Sequence, residues 1–205
     1  MPPDARLDTP RLILRRLRAS DEPDLVALDS DHEVMRYVGS PAGVKTPAET
    51  AARARERIRV AANGEQEPLG FWAIEAREDA AFLGLGALLP MPAPMAGGSA
   101  AGEDESIRGD VRIGGDVEIA YRLAGRAWGR GLATEAAGAL VAHALGSVGL
   151  PRVVAVTYPE NQASQRVLDK LGFERRGFLD YKGVRTTYHV LTRAAWAATA
   201  GARVH

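Results

Sequence analysis

Residues 117–136 read VEIAYRLAGRAWGRGLATEA. Val117, Ile119, Tyr121 and Leu123 alternate with Glu118, Ala120 and Arg122, the two-residue period of a strand. A glycine-rich turn, Trp128-Gly129-Arg130-Gly131, follows, and Ala137, Leu140, Val141, Ala144, Leu145 and Val148 then recur at helical spacing. Pro151 ends that connection, and Arg152 to Tyr158 (RVVAVTY) is a β-branched run of the length of a buried strand. Strand, turn, helix and strand succeed one another within about forty residues, a normal spacing for an α/β chain.

Working outward from this stretch, Asn161 can cap a helix striped by Val167, Leu168 and Leu171, with Gly172 where a left-handed C-terminal residue belongs. Thr186 to Leu191 reads as the last strand, before Trp196 and an alanine-rich tail. On the N-terminal side, Arg11 to Leu17 (RLILRRL) suits a first strand. Ser20-Asp21-Glu22-Pro23 supplies a helix start, after which Leu25, Val26, Leu28 and Val34 follow loosely helical spacing. A further helix is predicted from Pro47 to Ala62, and a hairpin from Phe71–Ala76 and Phe82–Leu89 around Glu78-Asp79. Pro90 to Asp116 is rich in proline and glycine, and its acids outnumber its arginines. Such a segment buries little, so residues 90–116 are expected to form a flexible insert in a single domain of residues 1–205. Two halves of about 90 residues either side of it are the alternative.

Composition excludes several chemistries. With 205 residues the chain can bury roughly 70 % of its unfolded surface and needs no disulfide or structural metal. It has no cysteine, which removes thiol catalysis and zinc ribbons. The 26 basic and 26 acidic side chains cancel, so bulk charge gives no reason to expect nucleic acid or an anionic membrane as partner. All the basic residues except Lys45, Lys170 and Lys182 are arginines, which reads as coding composition rather than a guanidinium surface. Met1 to Asp8 holds no apolar run, and no stretch approaches the roughly 18 apolar residues of a membrane span. A soluble cytoplasmic protein is expected.

The turn at Gly129-x-Gly131-x-Ala133 carries the clearest chemical signal. A helix leaves the N–H groups of its first turn without intrahelical partners, and glycine lets phosphates approach them closely, an arrangement suited to an anionic cofactor. A plain strand-to-helix turn is the alternative. The dinucleotide fingerprint fails, because Thr134 stands at its third glycine and the next strand ends in Thr157 and Tyr158 without a ribose-binding acid. A P-loop is absent as well, since no Lys-Ser or Lys-Thr follows the glycines.

The run at 117–136, followed by PENQASQRVLDKLGFERRG at 159–177, resembles the GNAT superfamily of acyl-CoA N-acyltransferases, and within it the RimJ/RimL-like branch. TPRLILRRL at 9–17 and the closing strand with Arg193 and Trp196 are similar to the same branch. The resemblance implies an α/β (mixed α+β) GNAT fold: a central twisted mixed sheet of six to seven strands, helices on both faces, and a splay between the fourth and fifth strands. It implies acetyl-CoA as co-substrate, with Tyr121, Arg122 and Leu123 where the pantetheine arm pairs with the backbone. The pyrophosphate would meet the N–H groups of Arg130, Gly131, Leu132, Ala133 and Thr134. Asn161 and Ser164 match residues that face the pantetheine and the thioester sulfur. Trp128 departs from the Gln or Arg frequent in the superfamily, but an aromatic there is common in this branch.

The implied reaction is acetyl transfer to a primary amine, a protein N-terminus as first choice and a small-molecule amine as the alternative, by direct attack in a ternary complex. An ammonium group has no lone pair, so a base or water relay must take its proton. Glu118 is the candidate. A carboxylate on a covered strand is costly unless it meets water, a partner or substrate, though an unperturbed Glu near pKa 4.3 is a weak base at neutral pH. The other reading makes Glu118 a carboxylate that merely solvates the strand end. An N–H near Ala120 or Tyr121 would stabilise the oxyanion, and Ser164 would protonate the departing thiolate, with Tyr158 a less favoured substitute. A helix-start serine also bonds nearby backbone without any catalytic role.

Other polar residues carry less. His32, His143, His189 and His205 show no metal spacing, and no metal is expected. His189 reads as a core or edge histidine, Trp72 as packing, and Glu135 as an acid placed by the helix dipole. Arg53, Arg55, Arg57 and Arg59, diluted by Glu49 and Glu56, read as a solvated helix face rather than a nucleic-acid patch. Rival readings are an acyl-CoA-binding module without turnover and an arginine-rich nucleic-acid binder. No membrane partner is expected, and a homodimer is left open.

Overall fold

The computed structural model describes residues 6–39, 46–64, 67–91, 115–181 and 183–202. Its strands are β1 (Arg6–Asp8), β2 (Leu12–Arg16), β3 (Gly70–Ala76), β4 (Phe82–Pro90), β5 (Val117–Leu123), β6 (Arg152–Thr157), β7 (Glu174–Tyr181) and β8 (Val184–Thr192). Its helices are α1 (Glu22–Ser30), α2 (His32–Met35), α3 (Pro47–Ala62), α4 (Leu132–Val141), α5 (Gln162–Leu171) and α6 (Arg193–Ala202), with a π-helical segment, Ala142–Ser147, directly after α4. The sheet is mixed and has eight strands, against the six to seven that the resemblance implied. β1 and β7 are the strands that no sequence pattern located, and β1 is three residues paired antiparallel with β2, too short and polar to show a period.

The chain divides into two compact units that interleave along the sequence, residues Met1–Leu89 with Ala120–Leu140 and residues Pro90–Ile119 with Val141–His205. In the first, hydrogen bonding orders the strands β1-β2-β3-β4 and then the C-terminal half of β5. Trp72, Ala73 and Ile74 of β3 are fully buried, as expected of a strand covered on both faces. Leu25 and Leu28 of α1 and Ala54 of α3 pack in one cluster with Ala73 and Leu85. The start of α3 follows from local chemistry: Thr46 accepts from Glu49 N–H, Glu49 accepts from Thr46 N–H at 2.7 Å, and Pro47 opens the helix. The stretch expected as one helix from Glu22 to Val34 is two, because Asp31 leaves helical geometry and caps α2 by accepting from Glu33 and Val34 N–H.

In the second unit the N-terminal half of β5 runs parallel to β6, in register at Glu118 and Val154, followed by β8 and β7 in antiparallel order. Met91, Val154, Leu179, Tyr188 and Val190 form its apolar cluster. Gly172 ends α5 in left-handed geometry at φ 86°, and Phe173 N–H reaches back to Leu168 O. The expected insert at 90–116 lies outside the described residues apart from its ends. Those ends are tied: Met91 N–H donates to Asp116 O at 2.7 Å, and the Asp116 carboxylate accepts from Arg152 Nε at 2.7 Å. Among the described residues no helix is long and apolar enough to cross a membrane.

Gly84 sets the approach of β4 to β5 within the first unit. A Cβ at this position would stand 2.2 Å from Arg122 O and 2.8 Å from Leu123 Cα, both backbone atoms that cannot yield. At Gly86 the nearest obstacle is the end of the Leu140 side chain, at 2.9 Å. Gly84→Ala is therefore expected to destabilise by about 2 kcal/mol or more, and Gly86→Ala by about 1 kcal/mol, in urea denaturation of the two variants beside the parent. Equal costs at the two positions would contradict this account.

Candidate active site

The glycine-rich turn belongs to the first unit. Gly129 and Gly131 have φ of 72° and 76°, a region open to glycine and strained for other residues, and Trp128 to Gly131 are exposed. Glu135 N–H to Gly131 O is the first bond of α4, so the N–H groups of Leu132, Ala133 and Thr134 stand at the uncompensated helix start. Nothing lies within 4 Å of a Cβ built on Gly129, and the nearest atom to one on Gly131 is Arg11 Nη2 at 3.6 Å. The backbone and its open surroundings fit a phosphate-bearing group.

The turn is held by contacts that the sequence did not reveal. Glu135 Oε1 accepts from Thr9 Oγ1 at 2.6 Å and Arg11 N–H at 2.8 Å, while Oε2 accepts from Arg11 Nε at 2.7 Å. Arg11 Nη1 donates to Arg130 O at 2.9 Å, which fixes the turn from the same guanidinium. Glu135 is thus a tether as well as a dipole-matched acid. Burial alone would raise its pKa, but the hydrogen bonds from Thr9 and Arg11 outweigh this and hold it below the ordinary carboxylate value.

Tyr121, Arg122 and Leu123 also belong to the first unit. The Leu123 carbonyl accepts from Trp128 Nε1 at 2.7 Å, which explains how an indole that is 48 % exposed keeps a fixed place. The Arg122 side chain turns to Asp29 of α1, Nη2 to Oδ1 at 2.5 Å. Asp29 Oδ2 meets Arg57 Nη1 of α3 at 2.6 Å. The expectation of one solvated arginine face on α3 is corrected here. Arg57 is buried and Arg53 half-buried, whereas Arg55 and Arg59 are exposed, because residues four apart share a face and those two apart do not.

Glu118, Asn161 and Ser164 belong to the second unit. Glu118 is half-buried, and Oε2 accepts from Tyr181 O–H at 2.7 Å. Burial first, and then the Glu118 charge, push the Tyr181 hydroxyl far above its ordinary value, so it stays a donor at any working pH. Sequence reasoning missed Tyr181, which lies 63 residues from Glu118 on a strand with no marked alternation. Asn161 caps α5, its Oδ1 accepting from Ser164 N–H at 3.0 Å, which fixes both residues at the helix start. Tyr158 is half-buried just before the same helix, its hydroxyl pushed up by burial and by Glu160.

His189 is a core residue of this unit. Thr187 Oγ1 donates to Thr157 O at 3.1 Å, so the proton at the 3.0 Å contact between His189 Nε2 and Thr187 Oγ1 lies on the ring. Nδ1 is buried without a hydrogen-bond partner among the described residues. Burial lowers the pKa of this ring, ahead of smaller effects from Asp169 and Arg175.

The family described as acetyltransferase (GNAT) domain matches residues 11–174. The chain belongs to the GNAT acetyltransferase family. This GNAT chain is 30 % identical over 174 residues to the uncharacterized N-acetyltransferase YoaA of Bacillus subtilis, covering 84 % of this chain and 85 % of YoaA. Among solved structures, a GNAT-family acetyltransferase from Bacillus anthracis superposes with a TM-score of 0.67 at 20 % identity, covering 93 % of this chain and 99 % of that one. RimL, a ribosomal L7/L12 α-N-protein acetyltransferase solved in complex with coenzyme A, superposes at 0.66 with 18 % identity, over 92 % and 98 % of the two chains. The mixed sheet with its flanking helices is the GNAT fold, and the GNAT chain is an acyl-CoA-dependent acetyltransferase by family.

The Glu135 tether gives a pH signature. Its folded pKa is lowered, so its contribution is complete above the unfolded value of 4.5 and is lost as pH falls through the folded value. Glu135→Gln should lower the thermal midpoint at neutral pH, with the gap to the parent closing below about pH 4.5. A gap independent of pH would show that the carboxylate charge does not hold the turn.

Proposed function

We propose that this GNAT chain moves the acetyl group of acetyl-CoA to a primary amine, with a protein α-amino group as the first acceptor and a small-molecule amine as the alternative. The observation that carries the reading is the exposed turn before α4, where Gly129 and Gly131 are left-handed, Arg11 pins the backbone and the N–H groups of Leu132, Ala133 and Thr134 open the helix. Those N–H groups, with Arg130 and Gly131, would hold the pyrophosphate. Tyr121, Arg122 and Leu123 would offer backbone to the pantetheine arm, with the Leu123 carbonyl already engaged by Trp128. Acetyl-CoA, when bound, supplies a thioester-activated acetyl group.

The chain's own residues then have to manage protons. Glu118 takes the proton of the incoming ammonium, directly or through water, and Tyr181 orients the carboxylate by donating to Oε2. Ser164, fixed by its Asn161 cap, is the candidate to protonate the departing thiolate, and Asn161 borders the pantetheine. With no cysteine in the chain an acyl-cysteine intermediate cannot form, which supports direct attack in a ternary complex. RimL's own name as an α-N-protein acetyltransferase lends weight to the protein N-terminus, though at 18 % identity the likeness concerns the fold.

Incubation with acetyl-CoA and a panel of peptides and small amines, read by thiol release and mass spectrometry, tests the activity. Glu118→Gln should lower kcat by about a hundredfold with acetyl-CoA affinity unchanged. Tyr181→Phe withdraws a bond that favours the charged carboxylate, so the acid limb of the kcat/KM profile should move to higher pH. Acetyl-CoA binding without turnover on any amine would favour a binding module. A pH profile unchanged in both variants would remove Glu118 from the base role.

A further inference from the structure

Three guanidinium groups of the first unit gather around a single carboxylate. Asp29, whose side chain is 2 % exposed, spends Oδ1 on Arg122 and Oδ2 on Arg57. Arg53 stands one helical turn before Arg57 on the same face of α3 and makes no hydrogen bond or ion pair among the described residues. Arg122 Nε is buried without a hydrogen-bond partner among the described residues. Three positive charges against one negative leave the group at plus two.

The cost of this arrangement shows in its electrostatics. Burial, followed by repulsion from Arg57, pulls Arg122 down to about 10, and the same two causes lower Arg53. Both remain cations at neutral pH. The acid that acts on either is Asp29, whose two oxygens bond Arg57 and Arg122 and make no bond to Arg53. A planar fork whose donors find no acceptor, held half-buried beside two like charges, is a site that a second oxyanion would complete.

We propose that Arg53, with Arg122 and Arg57 behind it, binds an oxyanion, and that this oxyanion is a carboxylate carried by the amine acceptor. The assignment to the acceptor rests on the acetyltransferase reading. It is favoured by position, because Asp29 and α3 lie in the stretch from Asp29 to Ala62, which no cofactor motif explains, while the pyrophosphate already has the start of α4. Asp29 shows that these guanidiniums accept carboxylate geometry, since one carboxylate joins two of them. A phosphate of the cofactor is the other source of the same chemistry.

The first arm of the test needs no turnover. Succinate added to the full chain at matched ionic strength should raise the thermal midpoint, and Arg53→Gln should abolish that rise. The variant itself should fold, since it removes a repelled charge and no hydrogen bond. The second arm offers primary amines in pairs, each as free carboxylate and as primary amide, and compares kcat/KM. The carboxylate member should be favoured by at least about tenfold in the parent, and Arg53→Gln should bring the ratio down to about twofold. Succinate stabilisation lost in Arg53→Gln, with no amine acetylated by the parent, would keep the anion site and defeat the acetyltransferase reading. Acetylation of both members alike, with no effect of succinate, would overturn the proposal and keep the activity. A rise in KM for acetyl-CoA in Arg53→Gln that is absent with the 3′-dephospho cofactor would overturn the acceptor assignment in favour of the cofactor phosphate.

Discussion

Asp29 can stay ionised at 2 % exposure only because Arg57 and Arg122 meet its two oxygens. Burial by itself would raise its pKa, and the two arginines outweigh this and hold it below the ordinary value. The carboxylate thereby joins three elements of the first unit, α1 through itself, α3 through Arg57 and β5 through Arg122. Removing either arginine would leave one buried Asp29 oxygen without its partner, whereas removing all the charges together would leave ordinary packing. The arrangement therefore specifies how helices and strand meet more than it adds to stability.

The same logic, on a more open surface, governs the start of α4. A helix terminus binds an anion only if its N–H groups are exposed and stationary. Exposure comes from Gly129 and Gly131, whose left-handed conformations turn the chain without side chains in the way. Stationarity comes from Arg11, which grips Glu135 within α4 and Arg130 O in the turn at once. A flexible loop would lose ordering entropy whenever a ligand bound, and a tethered one has already lost it.

Legibility in the sequence followed the range of the interactions. The start of α3 at Pro47, the alternation of β5, the Asn161 cap and the Gly172 terminus are all set within a few residues, and each stands where its pattern pointed. Pairings over long separations were invisible. Asp29 meets arginines 28 and 93 residues away, Tyr181 meets Glu118 across 63, and Arg11 meets Glu135 across 124. No periodicity encodes such pairs, because tertiary packing decides which charged side chains share a buried volume. Glu135 shows the limit well: its first-turn position was readable, and its tethering role was not.

The excess of arginine over lysine also takes on a physical meaning. A lysine offers one compact charge, while a guanidinium presents several donors in a fixed plane and can satisfy different acceptors together. Arg15 uses this to bond Asp21, Glu75 and the Arg16 carbonyl from a nearly buried position, and Arg16 reaches Glu67 and the Leu69 and Pro68 carbonyls. Arg11 spans a carboxylate and a carbonyl in the same way. Lysine at these positions would leave acceptors unmet at about 1–3 kcal/mol for each one buried. Coding composition alone would scatter arginines over the surface, but Arg15, Arg57 and Arg122 are drawn inward to specific oxygens. Against that pattern Arg53 stands apart, since its fork is half-buried and its donors find no oxygen among the described residues. A neutral net charge conceals this imbalance, because compensation over the whole chain does nothing for a guanidinium that desolvation has cut off from distant acids.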